Sequence, residues 1–180
     1  MNDPSFIIIG AMRCGTTSLY NYVVRHPDIM PNKLRKEIHF FDKNKRYNRG
    51  IRHYRKHFPS GFTGEATPMY IYKSSVPKRI HEHFPDVKMI AVLRNPVERF
   101  VSHWSLSRRR GYDKREFREV VKDVLANPRG RKTYAAKGMY AEQLQRYFDL
   151  FDRSQILILQ SSKLFSDPSK EMQKVFKFCC

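Results

Sequence analysis

Three short runs of apolar, largely β-branched residues stand out along the chain, and each is followed by a turn or a helical pattern. Residues 5–9 (SFIII) are closed by Gly10, residues 87–93 (VKMIAVL) by Arg94, and residues 155–159 (QILIL) form the third run. Short, continuously apolar runs are typical of strands that are buried on both faces of a sheet. The pattern therefore predicts three buried strands.

Helical spacing of apolar residues fills the intervals between these runs. Residues 16–25 are expected to form a helix with Leu19, Tyr22 and Val23 on one face. Pro96 suits the first turn of a helix that runs to about Arg109. That helix is predicted to turn Phe100, Val101 and Trp104 inward, and further helices are predicted at residues 51–58, 76–84, 116–125, 139–151 and 169–178.

Strands that alternate with helices favour a parallel sheet covered on both faces, so the expected fold class is a three-layer α/β fold. In such folds ligands bind beyond the carboxyl ends of the strands. The segments that follow Ile9 and Leu93 are therefore the first places to search for chemistry.

Composition limits the class of protein. The 180 residues are 41% hydrophobic and 13% aromatic, which is too apolar for a disordered basic tail and suits one domain. With 35 Lys and Arg against 17 Asp and Glu, the formal net charge is +18, which indicates an anionic partner. Three cysteines do not make a disulfide framework, and no segment has the pattern of a signal peptide or membrane span. A cytoplasmic protein without a membrane partner is expected.

The most informative stretch is GAMRCGTT at residues 10–17, which lies between a predicted strand and a predicted helix. Its spacing, G-x-x-x-x-G-x-[ST], is typical of a loop whose backbone N–H groups and helix N-terminus bind phosphate. Thr16 occupies the position of the lysine that nucleotide triphosphatases use, and Arg94 replaces a strand-end aspartate that would hold Mg²⁺. The loop thus indicates phosphate binding, with an ordinary strand–turn–helix corner as the alternative.

Two further candidate sites belong to the same sheet edge. Arg94 follows a predicted strand and Ser102 lies on the next helix, so both side chains are able to share an anion, although a surface ion pair would also explain Arg94. Glu37 and His39 lie among aromatic residues in KEIHFFD and are candidates for a base. Taken singly, Glu37 also fits a solvated carboxylate, and His39 a core histidine.

Together these segments resemble the sulfotransferases that use 3′-phosphoadenosine 5′-phosphosulfate (PAPS), above all the branch of heparan sulfate sulfotransferases and their bacterial relatives. FIIIGAMRCGTTSLYNYVVRHPDI is similar to the family's 5′-phosphosulfate loop, and KEIHFFD to its acceptor-site segment. GEATPMYIY is similar to its second active-site strand and loop, and VLRNPVERFVSHW to its 3′-phosphate element. The resemblance runs from Phe6 to about Phe178 and implies a P-loop-like fold with a central parallel sheet.

The resemblance also implies roles for individual residues. Glu37 would take the acceptor proton, and Arg13 would stabilise the bridging oxygen as the leaving phosphate gains charge. The cofactor, PAPS or its product 3′,5′-bisphosphate (PAP), would be bound without a metal by Arg13, Cys14, Gly15, Thr16, Thr17, Ser18, Arg94 and Ser102. Tyr140 falls where the family has a tyrosine beside the cofactor, although a core or surface aromatic explains it equally well.

Three departures from the family pattern qualify these expectations. Arg13 replaces a lysine, and Ala66 stands where the heparan sulfate enzymes carry a second active-site lysine. The chain ends at Cys180, so residues 1–180 are expected to form a single sulfotransferase domain that lacks the family's later cofactor-closing segment.

The expected reaction moves the sulfuryl group from PAPS to a hydroxyl or amine of a glycan or small molecule. The alternatives are a non-enzymatic polyanion-binding module and, third, a P-loop kinase. Specific nucleic-acid recognition has no supporting motif. The basic residues between Lys33 and Arg55, and between Arg108 and Arg115, either flank a cleft for an anionic glycan or form a solvated surface.

Overall fold

A central sheet of parallel strands organises the chain. The computed structural model describes residues 2–33, 36–127, 130 and 134–179. Within these residues five strands pair in the order β2–β3–β1–β4–β5, and every pairing is parallel. Their bounds are β1 Phe6–Gly10, β2 Ile29–Met30, β3 Phe62–Ala66, β4 Lys88–Leu93 and β5 Ile156–Gln160. The parallel sheet confirms the predicted α/β class.

Helices connect the strands and cover the sheet. Their bounds are α1 Thr16–Val23, α2 Asn44–Tyr47, α3 Ile51–Arg55, α4 Val76–His83, α5 Pro96–Arg109, α6 Phe117–Ala126, α7 Tyr140–Phe148, α8 Ser161–Ser166 and α9 Pro168–Cys179. Short 3₁₀ turns lie at Ala135–Gly138 and Arg153–Gln155. Across the described ranges, none of these helices has the length and apolarity that a membrane crossing requires.

The three predicted strands are confirmed to within a residue at each end. The predicted helix at Pro96–Arg109 is confirmed at both ends. At its N-terminus the Asn95 side chain caps it by accepting from Val97 N (2.9 Å) and Glu98 N (3.3 Å). The helix predicted at residues 51–58 is shorter and ends at Arg55, and the one predicted at 16–25 ends at Val23. Helices α2 and α8 and strand β2 were missed, because segments of two to six residues give too little periodicity to detect.

Strand β3 has no apolar run, because its sequence FTGEA contains a glycine and a glutamate. Gly64 is required there: a Cβ at this position would lie 2.4 Å from the carbonyl oxygen of Phe6 on the neighbouring strand. Glu65 is fully buried. Only the family resemblance of GEATPMYIY indicated a strand in this region.

The predicted inner face of α5 is wrong for Val101, whereas the rings of Phe100 and Trp104 pack against Phe117. Val101 is 40% exposed, and Phe100 and Trp104 are only partly buried. The residue of α5 that is fully buried is Arg99, whose guanidinium donates to the carbonyl oxygen of Tyr134. Helix α5 packs against the turn at Ala135–Gly138, and its fully buried residue is Arg99 and not Val101.

Candidate active site

A cleft of about 500 Å³ opens at the carboxyl edge of the sheet, where β1, β4 and β5 each pass into a helix. Nearly all of the predicted site residues meet here, although they come from three separate segments. Those that line the cleft are Arg13, Gly15, Thr16, Thr17, Ser18, Glu37, Arg94 and Ser102. Cys14 is the exception.

The loop between β1 and α1 has the backbone shape that its sequence predicts. Gly15 adopts φ 98°, a left-handed conformation that favours glycine. A Cβ at Gly15 would also lie 3.0 Å from the ring of Phe165. Helix α1 begins at the next residue, Thr16, so the N–H groups of its first turn have no partner within the helix. This end of α1 borders the cleft. Such N–H groups and the positive end of the helix suit an anion.

Cys14 does not line the cleft and is fully buried. Its Sγ lies 3.4 Å from the hydroxyl oxygen of Tyr140 on α7, and its backbone N–H donates to the carbonyl oxygen of Ala11 at 3.1 Å. Burial raises the pKa of the Cys14 thiol. The Cys14 side chain therefore contacts α7, and the contact of Cys14 with the cofactor stays a prediction.

Three arginines bring positive charge to the cleft. Arg13 Nε donates to Ser102 Oγ at 3.1 Å, and Arg94 Nε donates to Glu98 Oε2 at 2.9 Å. Arg110 also lines the cleft. Partial burial lowers the pKa of Arg13, and the nearby cations Arg109, Arg110 and Arg94 lower it further. Cations that disfavour one another in this way are stabilised by a bound anion.

Glu37 also lines the cleft and belongs to a chain of charged side chains. Its carboxylate contacts Lys36 Nζ (2.7 Å) and His39 Nε2 (3.2 Å), while His39 Nδ1 contacts the buried Asp42 carboxylate (2.8 Å). The hydrogen bond from His39 is the main reason why the pKa of Glu37 falls to about 2. Hydrogen bonds to Asp42 and then Glu37 raise the pKa of His39 to about 9. At neutral pH the Glu37 carboxylate is therefore ionised, and His39 is a cation between two carboxylates.

The sequence pattern indicated Glu37 and His39 but missed Asp42, whose signal was its position three residues after His39 in KEIHFFD. It also missed Arg110, Ser161 and Phe165, which line the cleft. Ser161 and Phe165 lie on α8, the short helix that was not predicted.

Two other cavities adjoin the cleft and share residues with it. One, of about 520 Å³, includes Arg94, Tyr140 and Phe165 in its lining. The other, of about 630 Å³, shares Lys36 and Glu37 with the cleft. This cavity of about 630 Å³ is called the basic cavity below. The rest of its lining is Ile38, Phe40, Arg46, Arg49, His53 and His57.

Comparison with known proteins accounts for this arrangement. The model of the sulfotransferase domain family matches residues 3–179. The chain belongs to the sulfotransferase family. A solved sulfotransferase from Alicyclobacillus acidocaldarius superimposes with a TM-score of 0.86 at 29% identity, over 99% of this chain and 81% of that one. The predicted P-loop-like α/β architecture is thereby confirmed.

Two curated relatives of this sulfotransferase domain modify heparan sulfate, according to their names. Human heparan sulfate glucosamine 3-O-sulfotransferase 6 is 33% identical over 97% of the chain. Mouse bifunctional heparan sulfate N-deacetylase/N-sulfotransferase 4 is also 33% identical over 97% of the chain. The chain spans 52% of the first relative and 22% of the second.

Proposed function

We propose that this chain transfers the sulfuryl group of PAPS to an acceptor hydroxyl or amine. The observation that carries the proposal is the convergence of three elements on one cleft. These are the glycine-containing loop with the start of α1, a set of mutually repelling arginines, and the ionised carboxylate of Glu37. Membership of the sulfotransferase family supports the assignment of the reaction.

The residues of the cleft fit a nucleotide that carries phosphate at both its 5′ and 3′ positions. The N–H and hydroxyl groups of Gly15, Thr16, Thr17 and Ser18 would hold the 5′-phosphosulfate. Arg94 and Ser102 would hold the 3′-phosphate, to which Arg94 would turn from its exposed partner Glu98. The depressed pKa of Arg13 supports this fit, since a bound polyanion would offset the repulsion among the arginines.

When bound, PAPS supplies a sulfuryl group whose bond to the phosphate oxygen breaks as the acceptor oxygen or nitrogen bonds to sulfur. Glu37 would accept the acceptor proton at a carboxylate oxygen. A pKa near 2 suffices, because the acceptor proton becomes strongly acidic as the new bond to sulfur forms. Arg13 would hold the developing negative charge on the leaving phosphate, as a fixed cation rather than a proton donor.

The acceptor would enter from the basic cavity that Glu37 shares with the cleft. The cations Lys36, Arg46 and Arg49 line this cavity, which favours an acceptor with carboxylate or sulfate groups. An anionic glycan meets this requirement. Ala66 in place of a second active-site lysine leaves the choice among such glycans open to experiment.

The test is transfer of ³⁵S from labelled PAPS to a panel of heparan-type, chondroitin-type and neutral glycans. We expect label in at least one anionic glycan and none with Glu37→Gln, which keeps the shape of the side chain but is a far weaker base. Retained transfer by Glu37→Gln would assign the proton to another group. Binding of every polyanion with a steep salt dependence, without any transfer, would favour the non-enzymatic module.

A further inference from the structure

Glu65, on β3, has a carboxylate that is completely buried behind the active-site wall. Three hydroxyl groups donate to it: Tyr54 Oη at 2.7 Å, Thr67 Oγ1 at 2.6 Å and Tyr70 Oη at 2.8 Å. Burial raises the pKa of Glu65, while these hydrogen bonds oppose the rise. Burial of a carboxyl costs more folding free energy than burial of an apolar residue at the same position, which indicates that Glu65 has a specific role.

Two of the three hydroxyls also hold the segment that carries the proposed base. Tyr70 Oη accepts hydrogen bonds from Phe40 N (3.0 Å) and Phe41 N (3.4 Å), and Thr67 Oγ1 accepts one from His39 N (3.3 Å). A hydroxyl has a single proton. Because an ionised carboxylate only accepts hydrogen bonds, the hydroxyl directs its proton to Glu65, and its oxygen lone pairs are free to accept from the backbone N–H groups.

The backbone at residues 37–41 is strained, which explains why these hydrogen bonds are needed to hold it. Glu37 adopts φ 75° and His39 φ 53°, in the left-handed region that side-chain-bearing residues rarely adopt. Conformations of this kind persist only where the surroundings fix them. The backbone N–H of Glu37 adds one more anchor, since it donates to the carbonyl oxygen of Ala66 at 3.1 Å.

We propose that Glu65 is the positioning residue of the active site: its carboxylate orients the Tyr70 and Thr67 hydroxyls, and these hold the backbone at residues 39–41 so that His39 meets Glu37 and Asp42. Glu65 itself lines neither the cleft nor the basic cavity. That this support serves catalysis rests on the proposed function, whereas the positioning of His39 by Glu65 does not.

The chain offers a matched pair of variants, Tyr70→Phe and Tyr54→Phe. Each removes one buried hydroxyl that donates to Glu65, and each keeps its ring in the aromatic cluster around Phe41. Only the Tyr70 hydroxyl also holds the backbone at Phe40 and Phe41. The readout is the pKa of His39, measured by NMR titration of its imidazole C–H resonances and assigned with a His39→Gln variant. It reports the contacts with Asp42 and Glu37 directly, and it requires no acceptor.

We expect the pKa of His39 to stay near 9 in Tyr54→Phe and to fall by about one to two units in Tyr70→Phe, a proton affinity about 10- to 100-fold weaker. Glu65→Gln should behave like Tyr70→Phe, because the amide donates and forces one hydroxyl to turn. Thr67→Val should lower the value and Thr67→Ser should restore it, which keeps the test decisive if a tyrosine variant fails to fold.

An unchanged pKa in both Tyr70→Phe and Thr67→Val would overturn the proposal, as would equal falls in Tyr54→Phe and Tyr70→Phe. The affinity of each variant for PAP distinguishes a failure of this proposal from a failure of the proposed function. PAP binding should remain within about twofold of the unaltered protein, since none of the substituted residues lines the cleft. An unaltered protein with a high His39 pKa but no PAP binding would contradict the proposed function and leave the role of Glu65 intact.

Discussion

Replacement of Arg94 by alanine tests the assignment of the 3′-phosphate most sharply. Arg94 lines both the cleft and the neighbouring cavity, and its side chain is 35% exposed. It now pairs with Glu98, an exposed partner four residues along the chain. Contact with a 3′-phosphate would therefore replace a surface ion pair with a charge-assisted hydrogen bond in a more enclosed position.

The magnitude follows from these two contacts. A hydrogen bond between charged groups contributes about 1.5–3 kcal/mol, and release of an exposed ion pair costs up to about 1 kcal/mol. The difference is about 0.5–3 kcal/mol, and the middle of that range, about 1–2 kcal/mol, corresponds to a loss of about 5- to 30-fold in PAP affinity. AMP lacks the 3′-phosphate, so its affinity should change by less than about twofold.

The assay is calorimetric titration with PAP and with AMP at one salt concentration. Arg108→Ala is the matched control: like Arg94, this arginine pairs with an exposed carboxylate, Glu116, but it does not line the cleft. Glu98→Gln should free Arg94 and raise PAP affinity by up to about fivefold. Loss of PAP and AMP affinity by the same factor in Arg94→Ala would refute the assignment.

Three further results are expected. Glu37→Gln should retain PAP affinity and lose sulfuryl transfer, and a parallel loss of PAP affinity would argue against its role as the base. Phe165→Ala should weaken PAP binding by about 5- to 100-fold, because this 55% exposed ring beside the loop offers a stacking face to the base, whereas Phe165→Trp should preserve binding. The stability that His39 contributes should be complete below about pH 6.5 and disappear as pH rises through about 9, since its folded-state pKa is raised. Urea unfolding of the protein and of His39→Gln across about pH 5–10 measures this, and a difference that persists above about pH 10 would contradict it.

The phosphate-binding loop could be predicted from the sequence because its chemistry is local. Glycines at Gly10 and Gly15, a strand before them and a helix after them define its shape without help from distant residues. The same holds for α5, whose start is fixed by Asn95 and Pro96. Apart from Cys14, the predicted site residues around these two elements meet in one cleft.

Other parts of the site depend on contacts that no local pattern reveals. Glu65 lies in a strand without an apolar run, and its hydrogen-bond network reaches Phe40 through Tyr70, which is 30 residues away from Phe40 in the sequence. Val101 was predicted to be buried, but the turn at Ala135–Gly138 covers a different face of α5. The single domain over residues 1–180 stays a prediction.

The most direct test of the account is titration of the 180-residue chain with PAP and AMP at two salt concentrations. We predict that PAP binds at least about tenfold more tightly than AMP at both concentrations, because Arg94 and Ser102 recognise the added phosphate. Equal affinity for the two nucleotides would contradict a PAPS site in this cleft.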